Sequence, residues 1–374
     1  MRRLLQTECM YTFGMGEPTY PAARVVAERI RSRIAQQPGY TSTPGDAFIE
    51  EVISAAFWAS LRREEGRVLT VSMALIPPEQ VYRPLLFSTL LSLDPDVLVR
   101  LAPAVERPGI HLGVWIYEGR LCVWGTTRSV PTSCVVLEVI APGLLVVKFR
   151  QPEPSTKFAN IAVLEGSNVK FIAQRTDDVS ELPPVLGPLL VFYSSGGREE
   201  SDHVLVRLAI SIRAHQRGGS LLVVPSGSDT WRASLVQPIS YTVRTPSSEV
   251  EGLPPDSDAL RGAVDFLAGW TAVDGATVIS DRFALLASGV KIVSRDASRR
   301  IGKVLVTEPV EGSEPTIVEL SQLGNTRHLS AAQFVHDQRD ALALVASQDG
   351  RFTVFSWSES RKIVHAHRLE SLLL

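Results

Sequence analysis

Two short stretches of the chain concentrate residue types that can handle a phosphorylated ligand. In the first, Trp270-Thr271-Ala272-Val273-Asp274-Gly275-Ala276, a carboxylate stands beside a glycine where a helix ends and a strand opens. The carboxylate can hold a metal or accept a proton, and the glycine lets backbone approach a phosphate closely. Asp-Gly is also a common turn, so this stretch alone reads first as one. The second stretch is Leu323-Gly324-Asn325-Thr326-Arg327-His328-Leu329-Ser330-Ala331-Ala332. Here a hydroxyl, a guanidinium and an imidazole precede a short helix expected over residues 330–335, whose N-terminal amides would attract anions. Together the two clusters favour a nucleotide phosphate site.

Other chemistry is thin. The sequence contains no Walker loop, no Gly-x-Ser-x-Gly elbow, no His-Glu-x-x-His and no Cys-x-x-Cys. Gly196-Gly197 and Gly218-Gly219 are too short and plain to read as phosphate loops. His365 and His367 are expected on an exposed tail rather than on a metal. Cys9, Cys122 and Cys134 form neither a metal-type pair nor an even disulfide framework. The last two sit in strand-like apolar runs and read as buried thiols of a reducing compartment, which points to the cytoplasm.

The elements that must position these residues follow from periodicity. Residues 21–63 read as two helices, with Ala22, Val25, Val26, Ile30 and Ile34 on one stripe and Phe48, Val52, Ile53, Ala56, Phe57 and Leu61 on the other. Strands are expected at 67–75, 111–117, 120–124, 134–140 and 144–149, with Glu118-Gly119 as a hairpin turn. Trp115, Trp124 and Phe149 of this α+β portion read as sheet core sooner than as a ligand pocket. Thr176 to Pro184 is polar, then proline-bounded, and is the best boundary between domains. Beyond it, helices at 199–216 (capped by Asp202) and 256–268 alternate with strands at 220–224, 276–280, 283–290, 341–346 and 351–357.

Composition limits the function classes. A chain of 374 residues suits two domains, 1–180 and 181–374. Its 38 Lys and Arg against 40 Asp and Glu give a net charge of −2, which argues against direct nucleic-acid binding. The N-terminus lacks the apolar core of a signal peptide, and the longest apolar runs, such as Leu85–Leu93, are half a membrane helix, so no membrane partner is expected.

The order and spacing of these motifs resemble the diadenylate cyclase (DAC) domain, whose signatures are an Asp-Gly-Ala tripeptide and, about fifty residues on, a Gly-Thr-Arg-His-Arg loop. The resemblance runs from about residue 186 to 358. It takes in Gly218 to Val224, Asp274-Gly275-Ala276, Ala287-Ser288-Gly289-Val290-Lys291, Thr326-Arg327-His328 and Ser347-Gln348-Asp349-Gly350. The portion before it resembles the DACNV-type sensor region that precedes some DAC domains. This implies an α/β C-terminal domain, a mixed central sheet flanked by helices, behind an α+β sensor-like domain. It also implies an enzyme that joins two ATP into cyclic di-AMP and pyrophosphate across a face-to-face pair of domains, hence a homo-oligomer.

By resemblance, Asp274 and Asp349 would hold Mg2+ or Mn2+, and Asp274, Arg327 and His328 would be catalytic. Gly275, Ala276, Gly289, Val290, Thr326, Arg327, His328 and Ser347 would bind ATP, with Gly289 and Val290 meeting the adenine. The chain departs from the family at Leu329 (a second Arg), at Asn325 (an extra residue), at Gln348-Asp349 (two Glu) and at Val273 (a His in some relatives). The rival reading is therefore a catalytically degenerate, nucleotide-binding sensor, and a remoter one is an α/β interaction protein.

Overall fold

The computed structural model describes residues 19–35, 45–150, 158–173, 204–236, 250, 253–254, 257–294, 300–348 and 350–374. Asp202, the segment 176–184, Gly196-Gly197, Cys9 and Asp349 lie outside them. The chain divides into two compact units, Met1–Ile172 with Leu374, and Ala173–Leu373. Among the described residues no helix is long and apolar enough to cross a membrane.

The first unit opens with helices α1 (Ala23–Ala35) and α2 (Asp46–Ser60). A short hairpin, β1 (Arg63–Glu64) and β2 (Arg67–Val68), leads to β3 (Val71–Leu75), β4 (Leu85–Ser92) and helix α3 (Pro95–Val105). Strands β5 (His111–Tyr117), β6 (Arg120–Thr127), β7 (Val135–Ala141), β8 (Leu144–Arg150), β9 (Phe158–Glu165) and β10 (Asn168–Phe171) follow. They form one eight-stranded sheet in the order β10-β9-β8-β7-β3-β5-β6-β4, antiparallel except at β3–β5. Glu118 and Gly119 take φ of 49° and 76°, the two left-handed residues of a tight hairpin turn. Val26, Ile30, Ile49, Val52 and Leu98 pack on Met73, Leu112, Leu137 and Val147, so the helices cover one sheet face; Val25 and the C-cap Leu61 lie outside the buried stripes, exposed. Each fully buried side chain of this kind contributes about 1.5–3 kcal/mol.

Helix α3, β4 and the β9–β10 hairpin are additions to the sequence reading. Asp94 starts α3 by accepting the Val97 N–H at 2.9 Å, with Pro95 in the first turn where no N–H is needed. Trp124 and Phe149 are core residues, as expected, and the Trp124 Nε1–H donates to the Ile76 carbonyl at 2.8 Å. Trp115 is only partly buried and packs 5.5 Å from the Phe48 ring. Cys122 and Cys134 are buried thiols, and burial pushes the Cys134 thiol up to about 12.

The second unit contains α4 (Val204–Ala214), β11 (Gly219–Val224), β12 (Leu235–Val236), α5 (Asp258–Trp270), β13 (Ala276–Ser280), β14 (Leu285–Ile292), β15 (Lys303–Thr307) and β16 (Thr316–Glu319). Helix α6 (Thr326–Asp337) and strands β17 (Leu342–Ala346), β18 (Phe352–Ser358) and β19 (Ile363–Arg368) complete it. The nine-stranded mixed sheet has the order β12-β14-β13-β11-β17-β18-β19-β15-β16, parallel at β11–β13 and β15–β19. Phe334, Val335, Ala331 and Ala332 of α6 pack on Leu222, Val278, Ala343 and Phe355 of one face. The end of α5 meets the alternate residues, since Thr277 Oγ1 donates to the Trp270 carbonyl at 2.9 Å. Helices thus stand on both faces.

Two expectations are corrected here. Helix α6 begins four residues earlier than expected, so Thr326, Arg327 and His328 form its first turn rather than a preceding loop; Asn325 is the cap that sets this start. His365 and His367 are not on an exposed tail. They are 7% and 4% exposed on β19, where Thr307 Oγ1 lies 2.9 Å from His365 Nε2 and 3.0 Å from His367 Nδ1. Ser356 Oγ sits 3.2 Å from His367 Nε2. A hydroxyl has one proton, so Thr307 donates to one ring and accepts from the other, and both imidazoles can stay neutral. Burial holds His367 well below the usual imidazole range.

Candidate functional site at one end of the nine-stranded sheet

The register of the four central strands gathers most of the expected site. Gly219 of β11 pairs with Ala346 of β17, and Ala276 of β13 pairs with Val290 of β14. Strands β11 and β13 run parallel with Leu221 beside Thr277. The starts of β11 and β13 and the ends of β14 and β17 therefore share one end of the sheet. Gly218, Asp274, Gly275, Gly289, Val290 and Ser347 come together there.

Close backbone packing explains the glycine of the Asp-Gly-Ala turn. Gly275 has φ of 101°, and a Cβ on it would stand 2.7 Å from both the Gly289 carbonyl carbon and the Val290 oxygen. No side chain fits, so the turn is pressed against the β14 backbone and Asp274 is left exposed at the rim. Arg327 reaches the same end from α6: its Nη1 lies 3.1 Å from the Cβ position of Gly218. Gln348 Nε2 donates to the Arg217 carbonyl at 3.3 Å, so the amide that replaces the expected carboxylate lies along the same turn.

The expected phosphate-gripping triplet is split by the helix. Thr326 is exposed and Arg327 half-buried, whereas His328 is 2% exposed and turned inward. Its Nδ1 lies 3.1 Å from Asn325 Oδ1, and its ring meets Phe355 edge-on at 6.2 Å. Asn325 Oδ1 also accepts the Arg327 N–H at 3.2 Å. The extra residue of the sequence motif is thus the cap that orients its neighbours. Leu329, in place of a guanidinium, is partly buried against the α6 core.

His215 lies outside the sequence motifs, and Thr271 stands within the first of them. Arg217 N–H donates to His215 Nδ1 at 3.2 Å, and His215 Nε2 lies 3.0 Å from Thr271 Oγ1, which donates to Ala268 O at 2.7 Å. The bonds form a chain if the imidazole is neutral, and burial lowers its pKa accordingly. Thr271 in turn packs against Gly219, so His215 ties the glycine turn to the Asp274 loop.

A divalent cation fits this donor set in a limited way. Among the described residues no group of three His, Cys, Asp or Glu side chains could hold a metal. Mg2+ is commonly held through one or two carboxylates plus substrate phosphates, and Asp274 supplies one such oxygen donor.

The first unit has a polar cluster of its own. Ser72 Oγ lies 2.7 Å from His111 Nδ1 and donates to Glu138 Oε1 at 3.2 Å, and Lys148 Nζ pairs with Glu138 Oε2 at 2.6 Å. Burial lowers the His111 pKa, Glu138 raises it, and Lys148 and Arg150 lower it. The signal in the sequence was a charged residue interrupting an apolar strand, Glu138 in Val-Val-Leu-Glu-Val-Ile and Lys148 in Leu-Leu-Val-Val-Lys-Phe.

A search of curated proteins finds no match to the chain. Residues 39–128 match the family model described as "Probable sensor domain DACNV". The matched stretch runs from before α2 through β6 and contains Ser72 and His111, while Glu138 and Lys148 fall beyond it. The first unit therefore carries a segment similar to a sensor domain.

Proposed function

We propose that the second unit binds ATP across this end of its sheet. Two such units, facing each other, would condense two ATP into cyclic di-AMP, each ribose 3′-oxygen attacking the other nucleotide's α-phosphorus and expelling pyrophosphate. The first unit would set the rate as a sensor. What carries the reading is the convergence of Gly218, Asp274-Gly275, Gly289-Val290 and Arg327, far apart in sequence, on one sheet end.

In this reading Asp274 accepts the 3′-hydroxyl proton or holds Mg2+ or Mn2+, which would neutralise phosphate charge when bound. Arg327 and Thr326 bond the polyphosphate and offset the charge that develops on the leaving pyrophosphate. Gly289 and Val290 offer backbone to the adenine, and Ser347 offers a hydroxyl at the rim. His328, buried beneath Asn325, supports the loop from below.

Leu329 and Gln348 favour a second reading, a nucleotide-binding sensor without turnover: the first removes a cation from the loop and the second a carboxylate. Incubation of the full chain with ATP and Mg2+ or Mn2+, followed by chromatography of the nucleotides, separates them. Cyclic di-AMP supports the cyclase. Calorimetric ATP binding without product supports the sensor, and absence of ATP binding overturns both.

A further inference from the structure

The opposite end of the same sheet contains a cavity that the nucleotide reading does not use. Past Val224 and Ser280, at the carboxyl ends of the parallel pair β11–β13, lies an open cleft of about 360 Å3. Ligands in open α/β sheets favour the carboxyl ends of strands, and small-molecule sites span roughly 300–1,000 Å3.

The walls supply donors over an apolar floor. Ser280 is 5% exposed, and its Oγ accepts the N–H groups of Arg282 at 3.2 Å and Ala284 at 3.1 Å. Both lone pairs are then in use, and the O–H is left to donate. The Arg232 guanidinium uses its Nε on Asp229 at 2.9 Å and lies 4.5 Å from the Trp231 ring centroid; Arg282 stands on the facing hairpin. Trp231 and Leu286 line the floor.

This wall is built in advance. Gln338, 4% exposed, donates to Thr230 O at 3.2 Å and to Ser234 Oγ at 2.8 Å, which fixes the helical turn Thr230–Ser234 carrying Trp231 and Arg232. Across the cavity Phe283 takes φ of 62°, a left-handed conformation that bulky residues avoid. The hairpin accepts it while aiming two amides at Ser280 Oγ. Strain of this kind collects at binding sites.

We infer that this cavity binds a small organic anion, a carboxylate or phosphate monoester on a compact apolar body, between Arg232, Arg282 and the Ser280 hydroxyl. The inference is independent of the nucleotide site. It is tested by calorimetric titration of the full chain with phenyl phosphate and with benzoate, using benzyl alcohol as the neutral control. At least one of the two anions binds saturably and the alcohol about ten-fold more weakly or worse, since charge-assisted hydrogen bonds are lost. Arg282→Ala, at an exposed position, and Arg232→Ala each weaken the anion about ten-fold, whereas Arg327→Ala at the other sheet end leaves it unchanged. The proposal is overturned if neither anion binds by about 10 mM. It is also overturned if the alcohol binds as well, if Arg282→Ala and Arg232→Ala have no effect, or if Arg327→Ala weakens the anion equally.

Discussion

Asp274 is exposed at a turn whose backbone cannot shift, because Gly275 is pressed against Gly289 and Val290. Packing at Gly275 therefore fixes the backbone from which the Asp274 carboxylate projects. Asp274→Asn keeps size and hydrogen bonding and loses the charge that a metal or a proton needs. The expected outcome is loss of cyclic di-AMP formation with a smaller loss of ATP affinity, read by chromatography and calorimetry on one preparation. Near wild-type turnover would remove Asp274 from the proposed chemistry. His367 links stability to pH. His367 is buried with its pKa pushed well down, while the unfolded imidazole titrates near 6.5. Below about pH 6.5 the unfolded chain binds more protons than the folded one, so His367 contributes stability in full above that pH and loses it as pH falls toward the folded value. Unfolding free energy should therefore drop between about pH 7 and pH 5, and His367→Gln should flatten that slope. Identical slopes in both proteins would show that His367 is not the cause.

Among the elements, α6 joins fold and site most directly. Its inner face, Ala331, Ala332, Phe334 and Val335, is fully buried, while its first turn presents Thr326 and Arg327. Asn325 serves both ends of this arrangement, capping the Arg327 amide and meeting the His328 ring. Asn325→Ala should cost about 1 kcal/mol of stability, as lost caps do. It should also weaken ATP binding by more than that destabilisation explains, because Arg327 loses its fixed aim. Denaturant midpoints and ATP titrations under folding conditions separate the two effects, and an unchanged ATP affinity would leave Asn325 a cap alone.

For the whole molecule, the chain has two units, each with its own sheet and core. The site proposed for catalysis lies in the second, and the segment similar to a sensor domain lies in the first. A reaction between two facing half-sites depends on the population of properly apposed pairs, which a sensor can shift. A chain truncated to residues 173–374 should still bind ATP, and its specific activity and concentration dependence should each change several-fold relative to the full chain. Equal activity per site at every protein concentration would rule out the coupling.

Local pattern by itself determined much of this protein. Apolar periodicity located α1, α2 and α5, the Glu118-Gly119 hairpin and β11, β13, β14, β17 and β18, because each depends on its own residues. The residues proposed for the nucleotide site stand out in the sequence because Asp274-Gly275 and Thr326-Arg327-His328 are contiguous. Helix α3 is legible in Asp94-Pro95, a cap and first-turn pair. Tertiary structure decided the remainder, for one physical reason: those features rest on partners distant in the chain. His365 and His367 look like tail residues until β19 pairs with β15 and brings Thr307, 58 residues from His365, between them. Likewise His328 stands beside Arg327 in sequence, yet one helical step turns the imidazole toward Phe355 and leaves the guanidinium at Gly218. Adjacent letters carry no record of which face is buried; the sheet beneath the helix supplies it.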